Sequence, residues 1–350
     1  MQITTRLIAL HPRNVFRISR AARRETVNVF LRIERDGIAG DGEASANAYY
    51  GENAEEVAAR LEGLAGFLKR RVVDTPADIA GVWEEAWPLL APSRAAQCAL
   101  DLALWDWLGK RKQRSVAELA LGKKAQPVAS FATIGLSEAK EMERKISELA
   151  GFPRVKIKSD QAGDLSAAEK VRAAMPGACI AVDANCAWGE VDIERISAEA
   201  REIGIEFVEQ PLPPARDEEM AGLCGTIPVL ADESCVVTED VERMPGRFAG
   251  FNIKLVKCGG LTSALRMAGR GRELGLKTMV GCMLESSLLI SAGCVVAQLT
   301  EYADLDGAWL LNDDPIKGWR FDHGTLHSVD APGLGVLYGD PSHAPLRVSG

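Results

Sequence analysis

The 350-residue sequence lacks the hallmarks of several common protein classes. It has only four histidines and no HExxH or CxxC motif, which argues against a zinc hydrolase or a zinc ribbon. Its eight cysteines show no pairing rhythm, so we expect reduced core thiols rather than disulfides. The formal net charge of -8 is the opposite of the basic footprint that nucleic-acid binding requires.

Membrane and export signals are also missing from the pattern. No apolar run approaches the length of a membrane span, and the start MQITTRLIALHPR has no apolar signal-peptide core. We therefore expect a cytoplasmic protein that binds neither nucleic acid nor membrane. The length and the 47% hydrophobic content suffice for a large buried core. The sequence leaves the oligomeric state open, a homo-oligomer included.

Residues 1–120 have the pattern of a small α+β domain. TRLIALH and TVNVFLRIERDG are rich in β-forming residues and predict two strands, with the basic loop FRISRAARRE between them. Apolar residues recur at helical spacing in AEEVAARLEGLAGFLKRRV and in SRAAQCALDLALWDWLGKRK, and Ser93 is the expected N-cap of the second helix. The tail, residues 321–350, lacks any such period and is expected to return to this domain.

From residue 121 to 320, short apolar runs alternate with amphipathic helical stretches. Acids and lysines recur at the ends of these runs about every 25 residues, which is near the length of one βα unit. Counting from VASFATI to EYADLDG gives eight units. The sequence therefore predicts an α/β fold, a (β/α)8-type barrel with its chemistry at the carboxyl ends of the strands.

Three acids end successive runs in VDAN, VEQP and ADES, namely Asp183, Glu209 and Asp232. Neighbouring strand ends converge in a barrel, so these carboxylates should repel one another unless protons or a cation neutralise them. All-oxygen ligation with open positions suits Mg²⁺. A single acid is equally well explained as the cap of a following helix, but three in a row favour a metal site.

The segment RVKIKSD places Lys156 and Lys158 on one face of a strand. Lys158 precedes the acids by one unit and Lys254 follows them by one unit, so the two should flank the metal site. A lysine is a weak base at neutral pH, but burial, a like charge and a divalent cation all lower an ammonium pKa. Lys156 is expected to activate Lys158 in this way and to contact a ligand oxygen, whereas Lys257 is expected in a loop. Each lysine alone is also compatible with a solvent-directed strand end.

A base on each side of a carbon beside a metal-bound carboxylate is typical of racemisation or epimerisation. KIK, VDAN, EQP, DES and NIKLVKCGG resemble the enolase superfamily, specifically its muconate-lactonizing subgroup, over nearly the whole chain. The resemblance implies a barrel covered by an α+β capping domain built from the N-terminal segment and the C-terminal tail. It implies one Mg²⁺ per subunit on Asp183, Glu209 and Asp232. It also implies that Lys158 and Lys254 exchange a proton through an enediolate, as this superfamily's chemistry is described.

The eighth run ends in DLD, which places Asp304 and Asp306 on one side of a strand end. Paired carboxylates suit a substrate ammonium group. Dipeptide epimerases of the subgroup carry a DxD motif at this point, whereas the substrates of cycloisomerases and succinylbenzoate synthases have no ammonium group. DLDG is also a plausible simple turn, but its place at the barrel mouth favours the binding role.

The basic segment FRISRAARRE resembles the capping-domain loop that contacts the substrate side chain. Arg23, and after it Arg20, is the candidate for binding a glutamate carboxylate, because a guanidinium group binds carboxylates bidentately. Tyr50 lies in YYGEN, which resembles the second capping loop. By the same resemblance, the ends of the first and seventh strands face the pocket with Thr133 and Cys282.

The resemblance as a whole implies an Mg²⁺-dependent dipeptide epimerase, with L-Ala-D/L-Glu as the expected substrate and peptidoglycan recycling as the expected role. An N-acylamino acid racemase or an o-succinylbenzoate synthase of the same subgroup is the alternative among enzymes. A non-catalytic barrel that keeps the metal site for binding is the alternative from another class. Side-chain specificity depends on loop geometry, which sequence patterns do not determine.

Overall fold

Residues 1–19, 21–222 and 227–339 are described by the structure, a computed structural model of the chain. Within these ranges no helix is both long enough and apolar enough to cross a membrane. Seven cysteines lie in the described part and none of them forms a disulfide, in agreement with the expectation from the sequence. The eighth, Cys224, lies outside the described residues.

An antiparallel sheet and a layer of helices build the N-terminal domain. Its strands are Gln2–Leu10 (β1), Phe16–Ile18 (β2), Ala21–Arg23 (β3), Thr26–Arg35 (β4) and Ile38–Ala44 (β5). Its helices are Ala54–Glu62 (α1), Ala65–Lys69 (α2), Pro76–Leu90 (α3), Arg94–Lys112 (α4) and Val116–Leu121 (α5), with a 3-10 turn at Ala48–Tyr50. The sheet order is β1-β4-β5. Ser93 is the N-cap of α4 as predicted, since its hydroxyl accepts a hydrogen bond from the Ala96 amide.

The segment between the first two predicted strands is a hairpin rather than a loop. β2 and β3 pair antiparallel from Phe16 and Arg23 to Ile18 and Ala21. The arginines of this segment favoured a loop prediction although its first residues are β-forming. The pairing adds a short two-stranded ribbon that is separate from the main sheet. This difference matters for the site, because the ribbon projects towards the barrel.

β5 approaches α4 at a distance that only glycine permits. A Cβ atom added at Gly42 would lie 1.9 Å from the carbonyl oxygen of Ala99, and one added at Gly40 would lie 2.2 Å from that of Ala103. Both distances are far inside van der Waals contact and involve backbone atoms, which have no freedom to move aside. The helix therefore packs backbone to backbone on the sheet.

Gly42→Ala is expected to destabilise the protein by about 2 kcal/mol, because the extra methyl overpacks this contact. Gly81→Ala is the matched control, since Gly81 lies in α3 and an added Cβ there meets nothing within 4 Å. That change should stabilise the fold by up to about 1 kcal/mol through helix propensity. Urea unfolding of both variants measures the difference, and equal stabilities would contradict the packing described above.

Eight parallel strands in consecutive order form the barrel, as predicted. They follow the two-residue strand Val128–Ala129 (β6) and are Ala132–Ile134 (β7), Arg154–Lys158 (β8), Cys179–Asp183 (β9), Phe207–Glu209 (β10), Val229–Ala231 (β11), Gly250–Lys254 (β12), Lys277–Gly281 (β13) and Tyr302–Asp304 (β14). The helices around them are Ala139–Glu148 (α6), Ser166–Ala174 (α7), Ile193–Ile203 (α8), Leu255–Cys258 (α9), Leu261–Glu273 (α10) and Ser287–Val296 (α11), with 3-10 segments at Pro214–Gly222 and Thr238–Arg243. The first and last strands approach where the Phe131 amide donates to the Ala303 carbonyl at 2.8 Å.

The run VASFATI, predicted as one strand, is divided into two. Val128–Ala129 pairs with the C-terminal segment Thr325–His327, and only the second half, β7, joins the barrel. Phe131 between them is buried in an apolar cluster with Phe207 and Tyr302 inside the barrel. Phe131 and Phe207 meet edge to face with ring centroids 5.7 Å apart. This cluster fills the barrel interior, and the polar side chains are left to the carboxyl end.

The C-terminal tail contacts both parts of the molecule. Short strands at Ile316–Lys317, Arg320–Asp322, Thr325–His327 and Leu337–Tyr338 follow the barrel. The Leu334 amide donates to Asp106 in α4 at 2.9 Å, and the ring of Tyr338 packs against Phe30 of the N-terminal sheet. The tail therefore joins the N-terminal domain to the barrel, while the limits 1–120, 121–320 and 321–350 stay a prediction.

Candidate active site

A cavity lies at the carboxyl ends of the barrel strands. Its volume is about 780 Å³, including the solvent space at its open mouth. Ten predicted site residues line it: Thr133, Lys156, Lys158, Asp232, Lys254, Cys282, Asp304 and Asp306 of the barrel, with Arg23 and Tyr50 of the N-terminal domain. The remaining two barrel acids, Asp183 and Glu209, are fully buried. Arg20 lies outside the described residues.

The hairpin of β2 and β3 covers this cavity. The Leu136 amide, just beyond β7, donates to the Arg17 carbonyl at 3.1 Å, and the Ser19 hydroxyl donates to the Asn185 carbonyl at 3.5 Å. Phe16 and Ile18 line the cavity from the hairpin side. The N-terminal domain thus contributes one wall of a site whose floor comes from the barrel.

Lys158 and Lys254 face each other across the cavity. They end β8 and β12, which are four strands apart in a barrel of eight, so their positions are diametrically opposed. Lys158 Nζ donates to Asp183 Oδ2 at 2.5 Å, and Lys254 Nζ donates to Asp232 Oδ2 at 2.7 Å. The arrangement can therefore deliver an amine to either side of a group bound between them.

The carboxylates form a continuous buried band between the two lysines. Asp183 and Glu209 are direct neighbours in the register of β9 and β10. Asn252 Nδ2 donates to Glu209 Oε1 at 2.7 Å and orients it. Burial, with the negative charge of Asp183, raises the pKa of Glu209 to about 7. Such mutual repulsion is what a bound cation relieves.

Asp232 continues the band on the next strand. Its backbone amide donates to Gln210 Oε1 at 2.8 Å, which fixes the turn after β11. Burial alone would raise its pKa, but Lys254 and Lys257 outweigh that effect and hold the pKa of Asp232 below its ordinary value. The acid is therefore ionised and paired on both of its oxygens.

The donor set fits Mg²⁺ in chemistry. Three buried carboxylates at neighbouring strand ends supply the all-oxygen ligation that this ion prefers. As the side chains stand, the described residues contain no group of three or more acids, histidines or cysteines close enough to hold a metal, because each carboxylate is turned to an ammonium group. The lysines thus supply the counter-charge here, and the assignment of Asp183, Glu209 and Asp232 as ligands stays a prediction.

Three carboxylates surround the ammonium group of Lys156 and offset its repulsion with Lys158. Its Nζ lies 3.0 Å from Glu209 Oε2, makes a short contact with Asp304, and is 3.6 Å from Asp183 Oδ2. Since that same Asp183 oxygen bonds Lys158, it separates the two ammonium groups. Burial would lower the pKa of Lys156, but Asp304, Glu209 and Asp183 together raise it well above its ordinary value. The expected activation of Lys158 by Lys156 stays a prediction.

Asp304 and Asp306 point into one corner of the cavity, and Thr133 fixes both. The Thr133 amide donates to Asp306 Oδ2 at 2.6 Å, and its hydroxyl donates to Asp304 Oδ1 at 3.3 Å. Burial, with the charge of Asp304, raises the pKa of Asp306 to about 7. The Lys156 ammonium bonds Asp304, and the role of the two aspartates in binding a substrate ammonium group stays a prediction.

The N-terminal domain brings Arg23 and Tyr50 to the lining of the same cavity. Arg23 Nη2 donates to Asn47 Oδ1 at 3.2 Å. Tyr50 lines the cavity together with Asp232, and burial, with the negative charge of Asp232, raises the pKa of the Tyr50 phenol. Cys282 lines the cavity from the seventh strand end, and burial raises the pKa of its thiol well above the ordinary value.

Lys257 does not lie in a loop, as the sequence had suggested. It lies in the one-turn helix α9, fully enclosed, and its Nζ contacts Asp232 Oδ1 at 2.6 Å and the Cys235 carbonyl at 3.0 Å. The turn that follows uses Gly259 and Gly260, both with positive φ, to fold the chain back. The pair Gly259 and Gly260, shortly after the strand end at Lys254, is the sequence feature that indicates such a turn.

Asn47 and Asn252 are site residues that the sequence analysis missed. Asn252 precedes Lys254 by two positions in β12, so the strand period alone could have placed both on the inner face. Asn47 lies in the loop before YYGEN and carries no local signal for its contact with Arg23, because the two are brought together only by the fold of the N-terminal domain.

Comparison with known proteins places these features in context. Residues 2–122 match the family described as mandelate racemase / muconate lactonizing enzyme, N-terminal domain, and residues 138–340 match the enolase C-terminal domain-like family. The L-Ala-D/L-Glu epimerase of Escherichia coli is 33% identical over 314 residues, which cover 89% of this chain and 95% of that protein.

Two solved structures share the fold over almost their full length. An enolase family member from Agrobacterium tumefaciens with homology to dipeptide epimerases, bound to sodium and L-Ala-L-Glu, has a TM-score of 0.85 at 36% identity, covering 93% of this chain and 97% of that one. A dipeptide epimerase from Methylococcus capsulatus, complexed with Mg and L-Arg-D-Lys, has a TM-score of 0.89 at 30% identity, covering 96% and 99%.

Proposed function

Because this chain belongs to the enolase superfamily, with a mandelate racemase / muconate lactonizing enzyme N-terminal domain, we propose that it is a dipeptide epimerase acting on L-Ala-D/L-Glu. The observation that carries the proposal is the opposition of Lys158 and Lys254 across one cavity that also contains paired aspartates. Two bases on opposite sides of a carbon invert its configuration, and the aspartate pair selects a substrate with a cationic amine.

The reaction is a proton transfer at the α-carbon of the C-terminal residue. The lysine on the side of the hydrogen removes it as the neutral amine, and the lysine on the other side donates a proton from its ammonium form to the opposite face. One C–H bond breaks and one forms, so the substrate gains no net proton and changes only its handedness. Lys158 serves one stereoisomer and Lys254 the other.

Asp183, Glu209 and Asp232 are the residues that would hold Mg²⁺, one ion per subunit. When bound, Mg²⁺ supplies positive charge to the substrate carboxylate as negative charge develops on deprotonation. Asn252 and Gln210 support this role, because they orient Glu209 and the end of β11 from outside the proposed ligand set.

The remaining residues would orient the dipeptide. Asp304 and Asp306 bind the free α-ammonium group in the corner that Thr133 fixes. Arg23 binds the side-chain carboxylate from the wall that the N-terminal domain supplies, and Lys156 contacts a carboxylate oxygen of the substrate. Tyr50 and Cys282 contribute to the walls of the cavity. We also propose a cytoplasmic location and a role in recycling peptidoglycan-derived dipeptides, in keeping with the chemistry of this substrate.

A panel of dipeptides and N-acylamino acids, incubated with the enzyme and Mg²⁺ in D₂O, tests the proposal. L-Ala-L-Glu is expected to gain one deuterium at the glutamate α-carbon and to convert into L-Ala-D-Glu, as followed by mass shift and NMR. Chelation with EDTA should stop the reaction, and added Mg²⁺ should restore it. Preference for an N-acylamino acid would favour a racemase instead, and no label in any compound would favour the non-catalytic barrel.

A further inference from the structure

Asn47 connects three segments that line the cavity. Its Oδ1 accepts hydrogen bonds from Arg23 Nη2 at 3.2 Å and from the Tyr49 amide at 3.0 Å. Its Nδ2 donates to the sulfur of Met283 at 3.7 Å. One side chain thus links β3 of the covering hairpin, the turn that carries Tyr50, and the seventh strand end of the barrel.

The hydrogen bond from Arg23 to the neutral amide of Asn47 orients the guanidinium group without neutralising its charge. An arginine side chain has several rotatable bonds, and ordering it costs conformational entropy unless the protein has already restricted it. The amide oxygen of Asn47 restricts Arg23 without carrying a charge of its own. Phe16, Ile18 and Leu310 also line the cavity, and an apolar surround strengthens the attraction of a guanidinium group for a carboxylate.

We propose that Asn47 is a positioning residue that sets the preference for an acidic side chain at the C-terminus of the dipeptide, by fixing Arg23 through a neutral acceptor. The inference rests on the proposed epimerase function and adds to it the residue that determines side-chain selection. It requires Asn47 to act on the recognition of the side chain and to leave proton transfer at the α-carbon unchanged.

Asn47→Asp is the sharpest test, since it keeps the shape of the residue and adds a charge, at the loss of only the 3.7 Å contact of Nδ2 with the sulfur of Met283. Aspartate remains a good N-cap and still accepts from the Tyr49 amide. Its charge pairs with Arg23 and competes with the substrate carboxylate. We expect kcat/KM for L-Ala-L-Glu to fall at least about tenfold, mainly through KM, while kcat/KM for L-Ala-L-Met changes less than about threefold.

Asn53→Asp is the matched control. Asn53 lies in the same loop and also caps a helix, by accepting from the Glu56 amide at 2.9 Å, so the variant adds the same charge at an equivalent position away from Arg23. Both dipeptides should react at near wild-type rates with this control. Asn47→Ser, which retains an N-cap oxygen but is too short for the contact with Arg23, should also weaken L-Ala-L-Glu selectively.

The outcomes separate this inference from the function on which it rests. If the wild-type protein epimerises L-Ala-L-Glu but both Asn47 variants lose activity equally on the two dipeptides, or lose none, the positioning role is overturned and the epimerase stands. If the wild-type protein exchanges the α-proton of no dipeptide, the proposed function and the inference are both overturned.

Discussion

Lys158→Ala and Lys254→Ala are each expected to lower epimerisation on the order of 10³-fold or more, because each removes one of the two groups that exchange the substrate proton. The two lysines end opposite strands of the barrel, and both line the same cavity. The lysine that remains in each variant therefore cannot replace the missing one, because it lies on the other side of the α-carbon.

The diagnostic result is one-sided exchange in D₂O. The variant that retains Lys254 should wash the α-proton out of one stereoisomer of the glutamate residue, and the variant that retains Lys158 should wash it out of the other. Lys277→Ala is a suitable control, since Lys277 begins a barrel strand at the opposite end from the site. Normal epimerisation by either active-site variant, or exchange of both stereoisomers by both variants, would refute the assignment of two bases.

Asp306→Asn is expected to weaken free-amine dipeptides on the order of 10²-fold in kcat/KM, because it removes a buried charge that binds an ammonium group. The asparagine oxygen can still accept from the Thr133 amide, which holds Asp306 Oδ2 at 2.6 Å, so the corner should keep its shape. N-acetylated dipeptides have no ammonium group to lose and should be affected much less.

Asn312→Asp supplies a comparison for this variant, because Asn312 lies beyond the strand and its backbone amide contacts the N-terminal segment at His11. Kinetics on matched free and N-acetylated substrates distinguish the roles. Equal losses on both classes would mean that Asp306 only supports the fold, and the preference for dipeptides over N-acylamino acids would then need another cause.

The barrel was predictable because its signals are local and repeated. An apolar run that ends in an acid or a lysine, recurring about once per βα unit, places Asp183, Glu209 and Asp232 on successive strands, where the register of β9 and β10 confirms that the first two are neighbours. The opposition of Lys158 and Lys254 follows from the same count. These features depend on strand order alone, which the sequence displays directly.

Features that depend on contacts between distant segments were not predictable. The position of Asp183 between Lys156 and Lys158 reconciles two adjacent ammonium groups, but only side-chain geometry reveals it. The contact of Asn47 with Arg23 joins a loop to strand β3, and strands β4 and β5 separate the two residues in sequence. The sequence around Val128–Ala129 predicts a barrel strand, because the tail strand with which this segment pairs is almost 200 residues away.

The most direct test is a crystal structure of the protein with Mg²⁺ and L-Ala-L-Glu bound. The account predicts a cation among the carboxylates of Asp183, Glu209 and Asp232, and the glutamate α-carbon between the Nζ atoms of Lys158 and Lys254. Both nitrogens on the same side of that carbon, or no cation among the three acids at saturating Mg²⁺, would contradict it.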